Sequence, residues 1–141
     1  MSSLELFLKS NKAERKNKFY APTKSMCDKN GKPLEWEFRH VPTKEMTAIR
    51  DACMREVPTG KFNQYRTKID SDLFSVKMIV KATVFPDLNN KELQDSYGVM
   101  CAEDLVKEMI DDSTEYNSLV EFVSGISEDE DINEKVKEAK N

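Results

Sequence analysis

His40 is the only histidine in a chain that also carries three cysteines, Cys27, Cys53 and Cys101, and 26 carboxylate side chains. These are the groups able to hold a metal, activate a nucleophile or pass protons. A metal site needs several such ligands converging on one point, so a single histidine without any C-x-x-C pair excludes a His-based cluster and argues against a zinc knuckle. No serine or cysteine near His40 in sequence forms a recognisable nucleophile motif. The odd number and wide spacing of the cysteines also argue against a secreted disulfide framework. Asp95 and Glu103 come nearest to a carboxylate pair. No second catalytic element accompanies them, and helix caps and solvated faces account for both. With few glycines and no phosphate loop, the chain has no legible catalytic machinery, and neither catalysis nor a cofactor is expected.

The elements that would position a site follow from spacing. At 141 residues the chain suits one domain that buries roughly two-thirds of its unfolded surface. Charged residues are 34% of the chain, enough to expect part of the length in a solvated tail. A net charge of -4 conceals a basic first third and an acidic remainder: residues 1–50 hold 11 Lys/Arg against 6 Asp/Glu, and residues 51–141 hold 11 against 20. The basic run "NKAERKNK" has little aromatic company, so a nucleic-acid arm is not expected. The N-terminus lacks the order of a signal peptide, and no apolar run approaches the roughly 20 residues that span a bilayer. A soluble, cytosolic protein is expected.

"SSLELFLKS" predicts a short helix capped by Ser2 or Ser3, with Leu4, Phe7 and Leu8 on one face. Asn30-Gly31 marks a β-hairpin turn, and Leu34, Trp36, Phe38 and His40 alternate with charged residues on the returning strand. A long helix is expected from Thr43, with Met46, Ile49, Cys53 and Val57 on its inner face and Pro58 and Gly60 ending it. "KFNQYRTKID" reads as a loop. "DSDLFSVKMIVKATVF" fits both periods, and its length favours a helix, capped by Asp70 or Ser71 and stopped by Pro86. Asn89 and Glu92 suggest a capping box, with Leu88 and Leu93 as the hydrophobic staple. Gly98 suits a left-handed helix stop. Two amphipathic helices follow, one burying Ala102, Leu105, Val106, Met109 and Ile110, the other Tyr116, Leu119, Val120 and Val123, with Asp112 and Glu115 resembling a second box.

The expected architecture is α+β and predominantly helical: a short N-terminal helix and a β-hairpin, then a compact helical bundle. One domain is expected over residues 1–126, and a charged, flexible tail over 127–141. Phe122 falls off the centre of the last helical stripe and is expected to anchor a partner, with Met100 and Met109 adding adaptable apolar area. The alternative packs Phe122 beneath the N-terminal helix, at Leu4, Phe7 or Leu8.

Four segments, in order, carry a family resemblance: "GKPLEWEFR", "PDL", "ELQDSYGVM" and "AEDLV". Together they resemble the XkdN-like tail assembly chaperones of tailed phages and phage-derived contractile particles, over roughly residues 2 to 125, with the acidic tail outside. Cys101 departs from the pattern, which often has glycine there; cysteine is small enough for packing to survive. The resemblance implies a non-enzymatic binding protein of the host cytoplasm. It would bind the tape-measure protein, help tail tube subunits polymerise around it, and be absent from the finished particle. It also implies that a ribosomal frameshift in many phages makes a longer second product. The alternative is a structural tail or baseplate component kept in the particle.

Overall fold

The computed structural model describes residues 3–126. The expected Ser2 cap and the charged tail over 127–141 lie outside the described residues.

A 3₁₀ turn covers Ser3–Phe7, a second covers Lys9–Asn11, and neither buries a residue. The expected helix is therefore not an α-helix, and Leu4, Phe7 and Leu8 are all exposed. Strand β1 (Lys18–Tyr20) pairs antiparallel with β2 (Trp36–Phe38), joined through the expected turn. There Gly31 takes a φ of +80°, and the Asp28 carboxylate accepts the amides of Asn30 and Lys32. A third strand, β5 (Thr83–Phe85), pairs antiparallel on the far side of β2, with a register shift between Glu37 and Phe38. Trp36 and Phe38 turn inward and are buried, as the alternation predicts. Leu34, in the same phase, is exposed; it lies beyond β2 toward the turn, beside the Cys27–Pro33 bridge.

Helix α1 (Thr43–Ala52) starts as expected, though Pro42 and not Thr43 occupies the cap position. It ends a turn early. In a continuing helix the Cys53 carbonyl would accept the amide of Val57. Here it accepts the amide of Asp70 at 2.8 Å, from a chain segment that has travelled out and back. The intervening residues form a second hairpin, β3 (Met54–Pro58) with β4 (Tyr65–Ile69), where a helical turn and a loop were expected. Cys53 keeps its expected place in the interior.

Helix α2 (Ser71–Ala82) is capped by Asp70, whose side chain accepts the Leu73 amide. Its apolar stripe (Val76, Ile79 and Ala82) is buried. It stops before Thr83 because Arg39 takes its last carbonyls: the Arg39 amide donates to Ala82 and its Nε to Lys81. The Arg39 guanidinium also makes a two-pronged contact with the Glu45 carboxylate, at 2.9 and 3.0 Å. One side chain thus ties β2 to both α1 and α2.

Helix α3 (Lys91–Ser96) is capped by Asn90, whose side chain accepts the Leu93 amide. The expected Asn89–Glu92 box is displaced by one residue, because Asp87 already holds the Asn89 amide in its own turn. At the other end Gly98, φ +68°, donates to Asp95 while Val99 donates to Gln94, the paired bonds of a Schellman stop. Helix α4 (Ala102–Met109), with Ile110 just past it, buries the expected residues; α5 (Ser113–Gly125) buries Leu119 and Val123 but leaves Tyr116 and Val120 only partly covered. Helix α2 packs against α1, α4 and α5, and Trp36 and Phe38 close the core from the sheet side. The class is α+β as expected. With 46% helix and 17% strand among the described residues, sheet contributes more than the expected bundle allows.

Candidate partner-binding surface

The three residues expected to meet a partner sit in different environments. Met100 is 94% exposed, in the link between α3 and α4. Met109 is 5% exposed and belongs to the core. Phe122 is half-buried: its ring stacks on Tyr20 at 4.4 Å between centroids and meets Phe38 edge-on at 5.4 Å. The expectation of an exposed anchor is corrected for Met109 and Phe122. The alternative for Phe122 is corrected too, because the cover is the β1–β2 sheet and not the N-terminal turn. A helical projection cannot register a sheet arriving from about 100 residues earlier in the chain, and that sheet widened the buried arc of α5 beyond one stripe.

The Asp112–Glu115 pair holds α5 to the same sheet region. Asp112 accepts the Glu115 amide at 2.9 Å, as a cap should. Glu115 does not complete the box. Its two carboxylate oxygens instead accept the Thr23 hydroxyl and the Lys24 amide, both at 2.8 Å. Thr23 is buried, so this contact gives an interior hydroxyl a charged acceptor.

Two grooves remain. One, of about 310 Å³, lies where α1, α2 and α4 meet. Salt bridges already occupy its rim, with Lys77 on Glu103 at 3.4 Å and Lys81 on Glu45 at 3.6 Å. Glu103 is thus one half of an ion pair. The other groove, of about 410 Å³, lies between the end of β2 and helices α1, α2 and α5. Met46 comes from α1, Phe74 and Met78 from α2, Val120 and Val123 from α5; Arg15, His40, Ser75 and Ser124 supply polar edges. Two methionines on an apolar wall suit a surface that must adapt to its ligand. The sequence did show Met46 and Val120 on apolar stripes, but nothing local says that three helices leave a gap there.

His40 is the titratable group of this groove. Burial lowers its pKa below 6.5, and the charges of Arg15, Arg39 and Lys12 lower it further. The imidazole is therefore held neutral in the groove wall. Burial raises the Cys53 thiol above its ordinary 9.0, which leaves it a small apolar core residue. Among the described residues no three His, Cys, Asp or Glu side chains gather to hold a metal, and no helix is long and apolar enough to cross a membrane.

The outer face of the sheet is a second apolar feature. Phe19 lies opposite Glu37, and Glu37 opposite Phe85, so two exposed rings flank one carboxylate across three strands.

No curated protein matches this chain. The crystal structure of the protein YqbN, a target of the Northeast Structural Genomics Consortium, superposes with a TM-score of 0.72 at 19% identity. The alignment covers 89% of this chain and 96% of that one, and at this identity it speaks for the fold alone. A family model described as phage XkdN-like tail assembly chaperone protein matches residues 4–140. That match includes most of the charged tail, which the motifs alone had left outside the resemblance. Because it spans nearly the whole length, the chain belongs to the phage XkdN-like tail assembly chaperone family.

Proposed function

We propose that this chaperone binds the tape-measure protein and assists tail tube polymerisation around it, by binding and not by catalysis. Family membership sets the class of partner: proteins of the phage tail. The observation that carries the finer reading is the groove between α1, α2 and α5, with its apolar wall of Met46, Phe74, Met78, Val120 and Val123. A tape-measure protein is long and helical with apolar stripes, and such stripes aggregate unless covered. A groove of this shape accepts an amphipathic helix by its apolar face, while Ser75, Ser124 and His40 meet the polar edge of that helix. On this reading the working surface lies partly on α5, the helix that also carries Phe122. Met100, exposed on the α3–α4 link, is retained as a peripheral contact.

In this reading the protein works in the cytoplasm of the bacterial host, is absent from the finished particle, and has the tail tube protein and any frameshifted longer form of itself as further partners. The experiment is co-expression with the tape-measure protein of the same phage, prophage or contractile particle. Wild-type chaperone should keep it soluble. Ser124→Arg, a change at an exposed position on the groove edge, should melt as wild type does and lose that effect. A tape-measure protein equally insoluble with and without the wild-type chaperone would overturn the reading. Mass spectrometry of purified particles checks that the chaperone has left them; its presence there in stoichiometric amount would favour a retained structural component.

A further inference from the structure

The groove between α1, α2 and α5 is flanked by two parts of the chain to which the fold gives no task. Arg15, from the basic run "NKAERKNK", lines one edge, and Ile126, where the described chain ends, lines another. The run holds Lys12, Arg15, Lys16 and Lys18 against Glu14, and Lys12, Arg15 and Lys16 are exposed. The charges of Arg15, Arg39 and Lys12 all reach His40 in the groove wall, so this end of the groove is electropositive. Arg39 is already committed to Glu45, which leaves the basic run to supply the charge that faces outward.

The 15 residues that follow Ile126 carry the opposite charge first and apolar side chains after it. Glu128, Asp129, Glu130 and Asp131 stand in succession. Ile132, Val136 and Ala139 come next at i, i+4 and i+7, the spacing of one helical side. A helix this short is marginal in water and needs an apolar wall to form on. The groove is such a wall, with Met46, Phe74, Met78 and Val120 half-buried along it. Ile132 is six residues beyond Ile126, a reach of up to about 20 Å when extended. The family match continues to residue 140, so this segment lies inside the family's pattern.

We propose that the chain's own tail lies in this groove when no partner does, with Glu128 to Asp131 against the Lys12–Arg15 edge and Ile132 and Val136 on the wall of Met46 and Met78. Opposite charges draw the two runs together. The tether decides between this occupant and others. A short link holds the tail at an effective concentration on the order of millimolar, above that of any second copy in dilute solution. Exposed ion pairs are individually weak, so an incoming helix with a longer apolar stripe displaces the tail. The tail thus covers apolar side chains that would otherwise stay in water, and it sets a threshold that a partner helix must exceed. That regulatory consequence rests on reading the groove as the tape-measure site; the occupancy itself does not.

Methionine methyl NMR of the full chain, with no partner present, tests it. The double variant Ile132→Asp, Val136→Asp should shift the methyl signals of Met46 and Met78 and leave that of Met100, on the α3–α4 link, in place. A synthetic peptide of residues 127–141, added in excess to this variant, should move both signals back. Lys12→Glu with Arg15→Glu should shift them as the tail variant does. Adding Glu128→Lys, Asp129→Lys, Glu130→Lys and Asp131→Lys to that variant should restore them, since each reversed run then meets its opposite. Signals of Met46 and Met78 that no tail substitution moves overturn the proposal. So does unlabelled wild-type protein that, mixed in equal amount with the labelled tail variant, moves its signals back, because the occupant would then be another copy's tail. On the tape-measure reading the tail variant should also bind tape-measure segments several-fold more tightly than wild type. If neither form binds them while the methyl shifts persist, that reading fails and the occupancy stands.

Discussion

The Tyr20 ring lies stacked on the Phe122 ring, 4.4 Å between centroids and 12° from parallel. This contact joins β1 to the last helix, and Phe38 meets the same ring edge-on. Stacked and edge-on aromatic pairs contribute beyond their buried area. Phe122→Ala should therefore lower stability by about 3 kcal/mol, the low end for loss of a packed phenylalanine. Chemical denaturation measures it. Phe122→Leu should lose clearly less. A variant that unfolds at the wild-type midpoint would mean that the sheet and α5 are not joined here.

Asn90 caps α3 and Asn89 does not. Asn90→Ala should cost about 1 kcal/mol, the usual effect of losing a capping side chain. Asn89→Ala should leave the denaturation midpoint within experimental error, because only its backbone amide is engaged. The reverse pattern would restore the cap suggested by the Asn89–Glu92 spacing.

Acid should destabilise the fold in two separable windows. His40 has its pKa lowered by burial and by neighbouring cations. Below pH 6.5 the unfolded chain therefore binds more protons than the folded one, and stability falls as pH drops through that value toward the lowered one. Glu45 has its pKa lowered, chiefly by its hydrogen bonds from Arg39. Its contribution is present above pH 4.5 and is lost below it. His40→Gln should flatten the first decline and leave the second. A pH profile of the melting temperature that is identical for His40→Gln and wild type would show that the imidazole titrates alike in both states.

Elements fixed by local chemistry were legible in the sequence. Asn30-Gly31 needed a tight turn, and Gly98 needed a positive φ; both are found where expected. The apolar stripes of α4 and α5 repeat often enough for period 3.6 to be read without a partner, while for α2 length and not period favoured the helix. The motifs around "ELQDSYGVM" pointed to the family that the match over residues 4–140 shows.

What only the tertiary structure decided concerns groups whose partners lie far away along the chain. Met46, Ile49, Cys53 and Val57 fit a helix as well as any real stripe. The helix ends at Ala52 because the Cys53 carbonyl is taken by Asp70, and β3 and β4 exist because each pairs with the other. Strand β5 has three residues, too few for any periodic signal, and the sequence folded it into α2; Arg39, more than 40 residues earlier, ends the helix instead. The same holds for function. Residue types and spacing offered no catalytic motif to read. The binding surface depends on which apolar side chains the packing leaves uncovered. It took Phe122 and Met109 inward, left Met100 and the groove beside Met46 and Met78 open, and raised a second hairpin where the sequence suggested a helical turn and a loop. A stripe records that a side chain is apolar, while burial is a property of what arrives to cover it.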